Sequence, residues 1–132
     1  MRVLALDYGS ARCGCALSDP TGTIVTPIAP VVRPSSRRGL GALRRLVRER
    51  EVERVVIGLP LSLRGHDSAQ TREAREFAER LSRLLGDAVA VEMHDERFTT
   101  RIAQRMPGTF QASEDSRAAA HLLEGWLASQ AR

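Results

Sequence analysis

Residues 2–7, RVLALD, carry apolar side chains at consecutive positions and then stop at a carboxylate, Asp7, with a glycine two residues further on. A strand sends successive side chains to opposite faces, so a run apolar at every position has to be covered on both sides. The chain must therefore build a sheet with a layer on each face, and this run belongs near its centre. Residues 12–18, RCGCALS, return as a second strand, and DPTG at 19–22 is a turn. TIVTPIAPVV at 23–32 is a third, β-branched strand whose prolines, Pro27 and Pro30, assign it to an edge.

Helical periodicity takes over after that meander. Pro34, Ser35 and Ser36 offer a helix start, and Leu40, Leu43, Leu46 and Val47 fall on one face with arginines between them. RVVIGLP at 54–60 is a buried strand, LSLRGHDS at 61–68 a loop, and Asp67 to Leu85 an amphipathic helix ended by Gly86. AVAVEMH at 88–94 is the next strand. Thr99 to Met106 reads as a short helix, TFQASE at 109–114 as a loop, and residues 115–130 as a last helix with Ala119, Leu122, Leu123 and Trp126 on one face. The order βββαβαβαα predicts a single α/β domain over residues 1–132. Its sheet is mixed and five-stranded, three antiparallel strands and then α/β units, with helices on its faces.

The length of 132 residues suffices for one domain with a real core. No apolar stretch approaches the roughly 20 residues that span a bilayer. The chain enters its first strand with no basic-then-apolar leader, so the expected location is cytoplasmic, with no membrane partner. All 20 basic residues are arginine, the net charge is +4 and the pI about 10.3. Arginine-only usage fits a GC-rich coding bias, yet arginine also forks bidentately onto phosphate. A mild positive excess suits a polyanion without identifying one. Cys13 and Cys15, two apart on a strand, face one side and are read as reduced core residues.

Strands joined through helices run the same way and end at one edge, where ligand sites gather in such sheets. Here the ends carry Asp7, then Gly58, Leu59 and Pro60, then His94, Asp95 and Glu96. Asp115 shares a helical stripe with Ala119, Leu122 and Trp126. On spacing alone it is either an acid turned toward the sheet or an N-cap. Taken alone, Asp7 reads first as a turn aspartate after a strand; taken with DER at 95–97 and Asp115, it reads as a metal ligand. Three carboxylates held together repel unless a cation neutralises them, and oxygen-only ligands suit Mg2+ or Mn2+. Two such ions roughly 4 Å apart can clamp the attacking and leaving oxygens of phosphoryl transfer. Gly9 would then let a phosphate approach the backbone.

DYGSARCGCALSD at 7–19 resembles the opening D-x-G-x-x-R-x-G-x-A-x-S-D of the YqgF-type nucleases, also described as Holliday-junction resolvases and pre-16S rRNA nucleases. VIGLPLSLRG at 56–65, DERFTT at 95–100 and DSRAAAHLLEGWL at 115–127 are similar to the family's V-G-L-P, D-E-R-x-T-T and D-x-x-A-A segments, in order. The resemblance implies a ribonuclease H-like fold and Mg2+- or Mn2+-dependent phosphodiester hydrolysis. It casts Asp7, Glu96 and Asp115 as catalytic metal ligands, with Asp95 as a substitute for Glu96. Neighbours on a strand point opposite ways, so one of Asp95 and Glu96 faces the metals, and Glu96 is preferred. Gly9, Arg12 and Arg97 become candidate phosphate contacts, and either arginine could instead brace a carboxylate. His94 is read as a structural group before a proton carrier.

The expected substrate is structured nucleic acid, a 16S rRNA precursor ahead of a DNA junction. The chain is expected to be a monomer or a homodimer, and a junction resolvase would want two active sites and therefore the dimer. One departure stands out: the family's basic loop before the last helix is here PGTFQASED, without a basic residue. Arg37, Arg38, Arg44, Arg45 and Arg48 are the alternative basic surface, or simply a solvated helix face. The rival reading is a non-catalytic nucleic-acid-binding or ribosome assembly factor. A phosphotransferase of the actin or sugar-kinase type would need a second lobe.

Overall fold

A computed structural model describes residues 1–59, 69–95 and 114–131. The strands are β1 (Val3–Asp7), β2 (Arg12–Ser18), β3 (Val25–Val32), β4 (Arg54–Leu59) and β5 (Ala90–Asp95). The helices are α1 (Arg37–Glu49), α2 (Ala69–Leu85) and α3 (Glu114–Gln130). The loop expected at 61–68, the first two residues of the helix expected from Asp67, the short helix at 99–106 and most of the loop at 109–114 lie outside the described residues. Among the described residues, no helix is long and apolar enough to cross a membrane.

The five strands form one sheet in the order β3-β2-β1-β4-β5. β1 and β2, and β2 and β3, are antiparallel, whereas β4 runs parallel to both β1 and β5. The all-apolar run thus becomes the central strand, with Val3 to Leu6 fully buried. Alternation splits its residues cleanly. Leu4 and Leu6 join Cys13, Cys15, Val55, Ile57 and Phe77 in a core beneath α1 and α2. Val3 and Ala5 join Ala16, Val56, Leu122 and Trp126 in a second core beneath α3. Each large side chain buried this way is worth about 2 kcal/mol. The two cysteines are free, buried and on one face.

The prolines of β3 fall where an edge strand tolerates them. Pro27 pairs with Ala16, and the register slips between Ile28 and Val31, which places Pro30 in a bulge. β3 starts at Val25, two residues later than the periodicity predicts, because Thr23 and Ile24 are taken by the preceding turn. Their N–H groups both donate to Asp19 Oδ1 at 2.8 Å. β5 likewise starts at Ala90 and not at 88. The chain first has to leave α2 through Gly86, whose φ of +76° is left-handed. α1 begins as read, with Ser36 Oγ accepting from Gly39 N–H at 3.0 Å.

Asp19 supplies a testable contribution to stability. Its carboxylate accepts from the Thr21 hydroxyl and from the N–H groups of Ile24, Thr23 and Thr21. These bonds, the Thr21 hydroxyl first, hold its pKa well below the ordinary 3.8. A depressed folded pKa means stability that is present above the unfolded value and lost as pH falls. Asp19→Asn is therefore expected to melt below the parent at neutral pH, with the gap closing as pH drops from about 4 toward 2. Paired thermal melts across that window check it, and a gap that stays constant would contradict it.

Candidate active site

Asp7 closes β1 on the α3 face, because it has the parity of Val3 and Ala5. Across the antiparallel pair it stands opposite Gly14. On the parallel side the Leu6–Ile57 pair is followed by Gly58, which pairs in turn with His94. One row across the sheet thus carries Asp7, Gly58 and His94. Gly58 adds no side chain between the other two.

Gly14 has a second consequence. A Cβ built on it would meet the Asp115 carbonyl oxygen at 2.0 Å and Ser116 N at 2.8 Å. The first turn of α3 therefore lies directly on the backbone of β2, at the residue paired with Asp7. Ser116 pins it there: its Oγ accepts from Cys15 N–H at 3.3 Å and donates to the Ile28 carbonyl at 2.5 Å. Asp115 is the second residue of α3, inside the helix instead of capping it, and its acidic charge suits the positive end of the helix dipole. Asp7 and Asp115 are thereby brought to one side of the sheet edge. Both push up the pKa of the buried Cys13 thiol, after its hydrogen bond with Cys15 and its burial.

Arg12 Nε lies 3.9 Å from Asp115 Oδ2, with the arginine side chain 65% exposed. An exposed pair at that distance contributes at most about 1 kcal/mol, so the guanidinium is free to turn toward another anion. Gly9 is accounted for by its own loop, since a Cβ there would come within 2.6 Å of the Arg12 carbonyl oxygen. Tyr8 turns to the opposite face of the sheet: its ring stacks on Phe77 at 4.6 Å and its hydroxyl meets Ser35 Oγ at 2.8 Å.

β5 separates its residues by the same alternation. Val91 and Met93 pack into the core under α1 and α2. Glu92 lies on the α3 side, where its Oε2 accepts from Trp126 Nε1 at 3.2 Å. His94 shares that side, and Asp95 falls on the opposite one. Glu96 and Arg97 lie outside the described residues. Among the described residues no three metal-ligating side chains gather; Asp7 and Asp115 are a pair of carboxylates, and oxygen donors of this kind fit a hard divalent cation. Gly14 and Ser116 are the positioning residues that motif reading gave no role. A glycine inside a strand is the signal that another backbone comes close.

A mixed five-stranded sheet with an antiparallel meander and carboxylates at the carboxyl edge of its central strand defines the ribonuclease H-like class. Solved structures agree on that fold. The fowlpox virus resolvase with Holliday junction DNA superimposes with a TM-score of 0.64 at 11% identity, covering 100% of both chains. Thermus thermophilus RuvC with a Holliday junction gives 0.62 at 14% identity, over 99% of this chain and 96% of that one. A family model described as Holliday junction resolvase, RuvX, matches residues 1–129, and the chain belongs to that nuclease family. Relatives whose names propose a pre-16S rRNA nuclease include one from an Anaeromyxobacter species, 42% identical over 96% of each chain. Another, from Chloroflexus aurantiacus, is 38% identical over 95% of this chain and 85% of its own.

Proposed function

We propose that this protein hydrolyses phosphodiester bonds in structured nucleic acid with Mg2+ or Mn2+, and that its substrate is the 5′ extension of a 16S rRNA precursor. The observation that carries the proposal is the convergence of Asp7 and Asp115 through Gly14 at one sheet edge. Two carboxylates so placed repel a phosphodiester, so nucleic acid can approach them only once a cation has neutralised them. Asp7, Asp115 and Glu96 would hold that cation. Alternation along β5 turns Asp95 to the face opposite Asp7, which supports Glu96 over Asp95. When bound, the divalent cation supplies an activated water and offsets charge developing on the phosphate.

The remaining roles fall to the chain itself. Arg12, exposed beside Asp115, can donate to a phosphate oxygen in charge-assisted hydrogen bonds. Arg97 is proposed for the same task. Gly9 is proposed as a point where a phosphate meets backbone. Trp126 is 2% exposed and offers no stacking surface, which favours recognition by shape and backbone. Two buried free thiols suit a reducing cytoplasm.

The family's description favours a second substrate, a four-way DNA junction, which would require two sites and hence a homodimer. Incubation of the protein with 5′-extended 16S rRNA precursor and with a four-way junction, each with Mg2+, Mn2+ or EDTA, decides between them. Metal-dependent cutting of the precursor alone is the expected result. Cutting of the junction alone would transfer the assignment to DNA. No cutting of either, with salt-sensitive binding retained, would make the protein a binding or assembly factor.

A further inference from the structure

α1 carries a charge pattern that its own folding does not explain. Arg37, Arg38, Arg44, Arg45 and Arg48 are all exposed. At 100° per residue they fall in one stripe about 16 Å long. Among the described residues none of the five makes an ion pair. Arg37 and Arg38 occupy the first turn, which holds no acid, so they oppose the positive end of the helix dipole. Arg44 and Arg48 repel at i,i+4, and Arg45 and Arg48 at i,i+3. α2 is built differently: Arg72, Arg75, Arg80 and Arg83 alternate with Glu73, Glu76 and Glu79.

Gly41 sits in the middle of the stripe and is the second observation. Glycine inside a helix is unfavourable, and packing gives no reason for this one. Among the described residues nothing lies within 4 Å of where its Cβ would be. Gly39, two residues earlier, shows the contrast, since its Cβ would meet the Arg33 carbonyl oxygen at 2.1 Å. Gly41 thus leaves the helix backbone open between Arg37, Arg38, Arg44 and Arg45.

The stripe also begins in the right place. Arg12 pairs with Val32 at the edge where β1 ends. Arg33 N–H donates to the Ala11 carbonyl at 2.9 Å, and Ser35 meets Tyr8, the residue after Asp7. α1 therefore starts beside the candidate active site and leads away from it across the opposite face of the sheet, ending where Arg2 bonds the Arg50 carbonyl.

We infer that the Arg37–Arg48 face of α1 is a second nucleic-acid contact, a track for the phosphate backbone of a duplex flanking the cut site, with Gly41 as the point of closest approach. The inference rests on the nuclease reading for its partner and on α1 alone for its site. A duplex presents one phosphate charge per about 1.7 Å of axis, so it can answer every arginine along the stripe. Phosphates along the stripe would relieve that repulsion, and the duplex would release its own condensed counterions.

The test is fluorescence anisotropy with a labelled RNA duplex, read from low to physiological salt. For the combined Arg44→Gln, Arg45→Gln and Arg48→Gln variant, the slope of log affinity against log salt should fall by about 3. Affinity should fall at least about tenfold. Arg75→Gln, Arg80→Gln and Arg83→Gln together change the net charge equally on α2 and should leave the slope nearly as it was. Gly41→Glu should bind more weakly while melting no lower than the parent, because glutamate favours helix and can pair with Arg37 and Arg45. A parent slope in the α1 variant, or an equal loss in the α2 variant, overturns the inference and leaves the nuclease reading standing. Binding that depends on α1 in a protein that cuts neither substrate does the reverse.

Discussion

Asp7→Asn is expected to lower metal-dependent cleavage about a thousandfold and to leave the fold as it is. Asparagine keeps the size of aspartate but removes the charge that would hold the cation. Metal stabilisation of a transferring phosphoryl group is worth several kcal/mol, and each 1.36 kcal/mol is about tenfold in rate. Loss of about 4 kcal/mol gives the stated factor. Folding should not suffer. Asp7 ends its strand half-buried, and among the described residues nothing donates a hydrogen bond to its carboxylate. Removing one of two neighbouring negative charges relieves repulsion. Single-turnover cleavage beside a thermal melt checks both halves, and a nuclease that keeps its rate without the Asp7 charge would end this mechanism. The same assay separates the two adjacent acids: Glu96→Gln should lose activity as Asp7→Asn does, and Asp95→Asn should keep it.

Gly14→Ala should damage stability and activity together. The added methyl would have to occupy space 2.0 Å from the Asp115 carbonyl oxygen, which belongs to backbone and not to a flexible side-chain end. Either β2 bends or the first turn of α3 lifts away. Lifting would break the Ser116 bonds to Cys15 and Ile28 and withdraw Asp115 from Asp7. Overpacking of this kind costs roughly 3 kcal/mol, a drop in Tm on the order of 10 °C for a chain of this size. Cleavage measured well below the lowered Tm should still be reduced. The contrasting case is Ser116→Ala, which removes the pin but adds no bulk and should cost less. Melting within 1 or 2 °C of the parent, about the effect of a neutral surface change, would show that the contact between β2 and α3 is looser than the backbone geometry states.

The central strand, the edge strand with its prolines, the reduced cysteines and the buried Trp126 were all legible from residue patterns. Those features depend on neighbours two to four positions apart, where the periods of strand and helix are written. The same rule located Asp7 at a strand end. It missed the late starts of β3 and β5, because Asp19 reaches five residues forward to Ile24 and Gly86 turns the chain left-handed before β5.

Asp115 marks where local pattern stops. Its spacing admitted a cap or an inward acid, and nothing within a few residues of it could choose. The choice came from a glycine and a cysteine on β2 and a carbonyl on β3; Cys15 and Ser116 are 101 residues apart. A missing side chain such as that of Gly14 leaves no periodic trace, and its meaning exists only once another backbone occupies the space. Alternation and amphipathicity thus specified the strands, the helices and the faces they bury, since each follows from the geometry of one element. Bringing two carboxylates to one edge was decided by packing between elements distant in the chain, where excluded volume and paired backbone groups admit one arrangement.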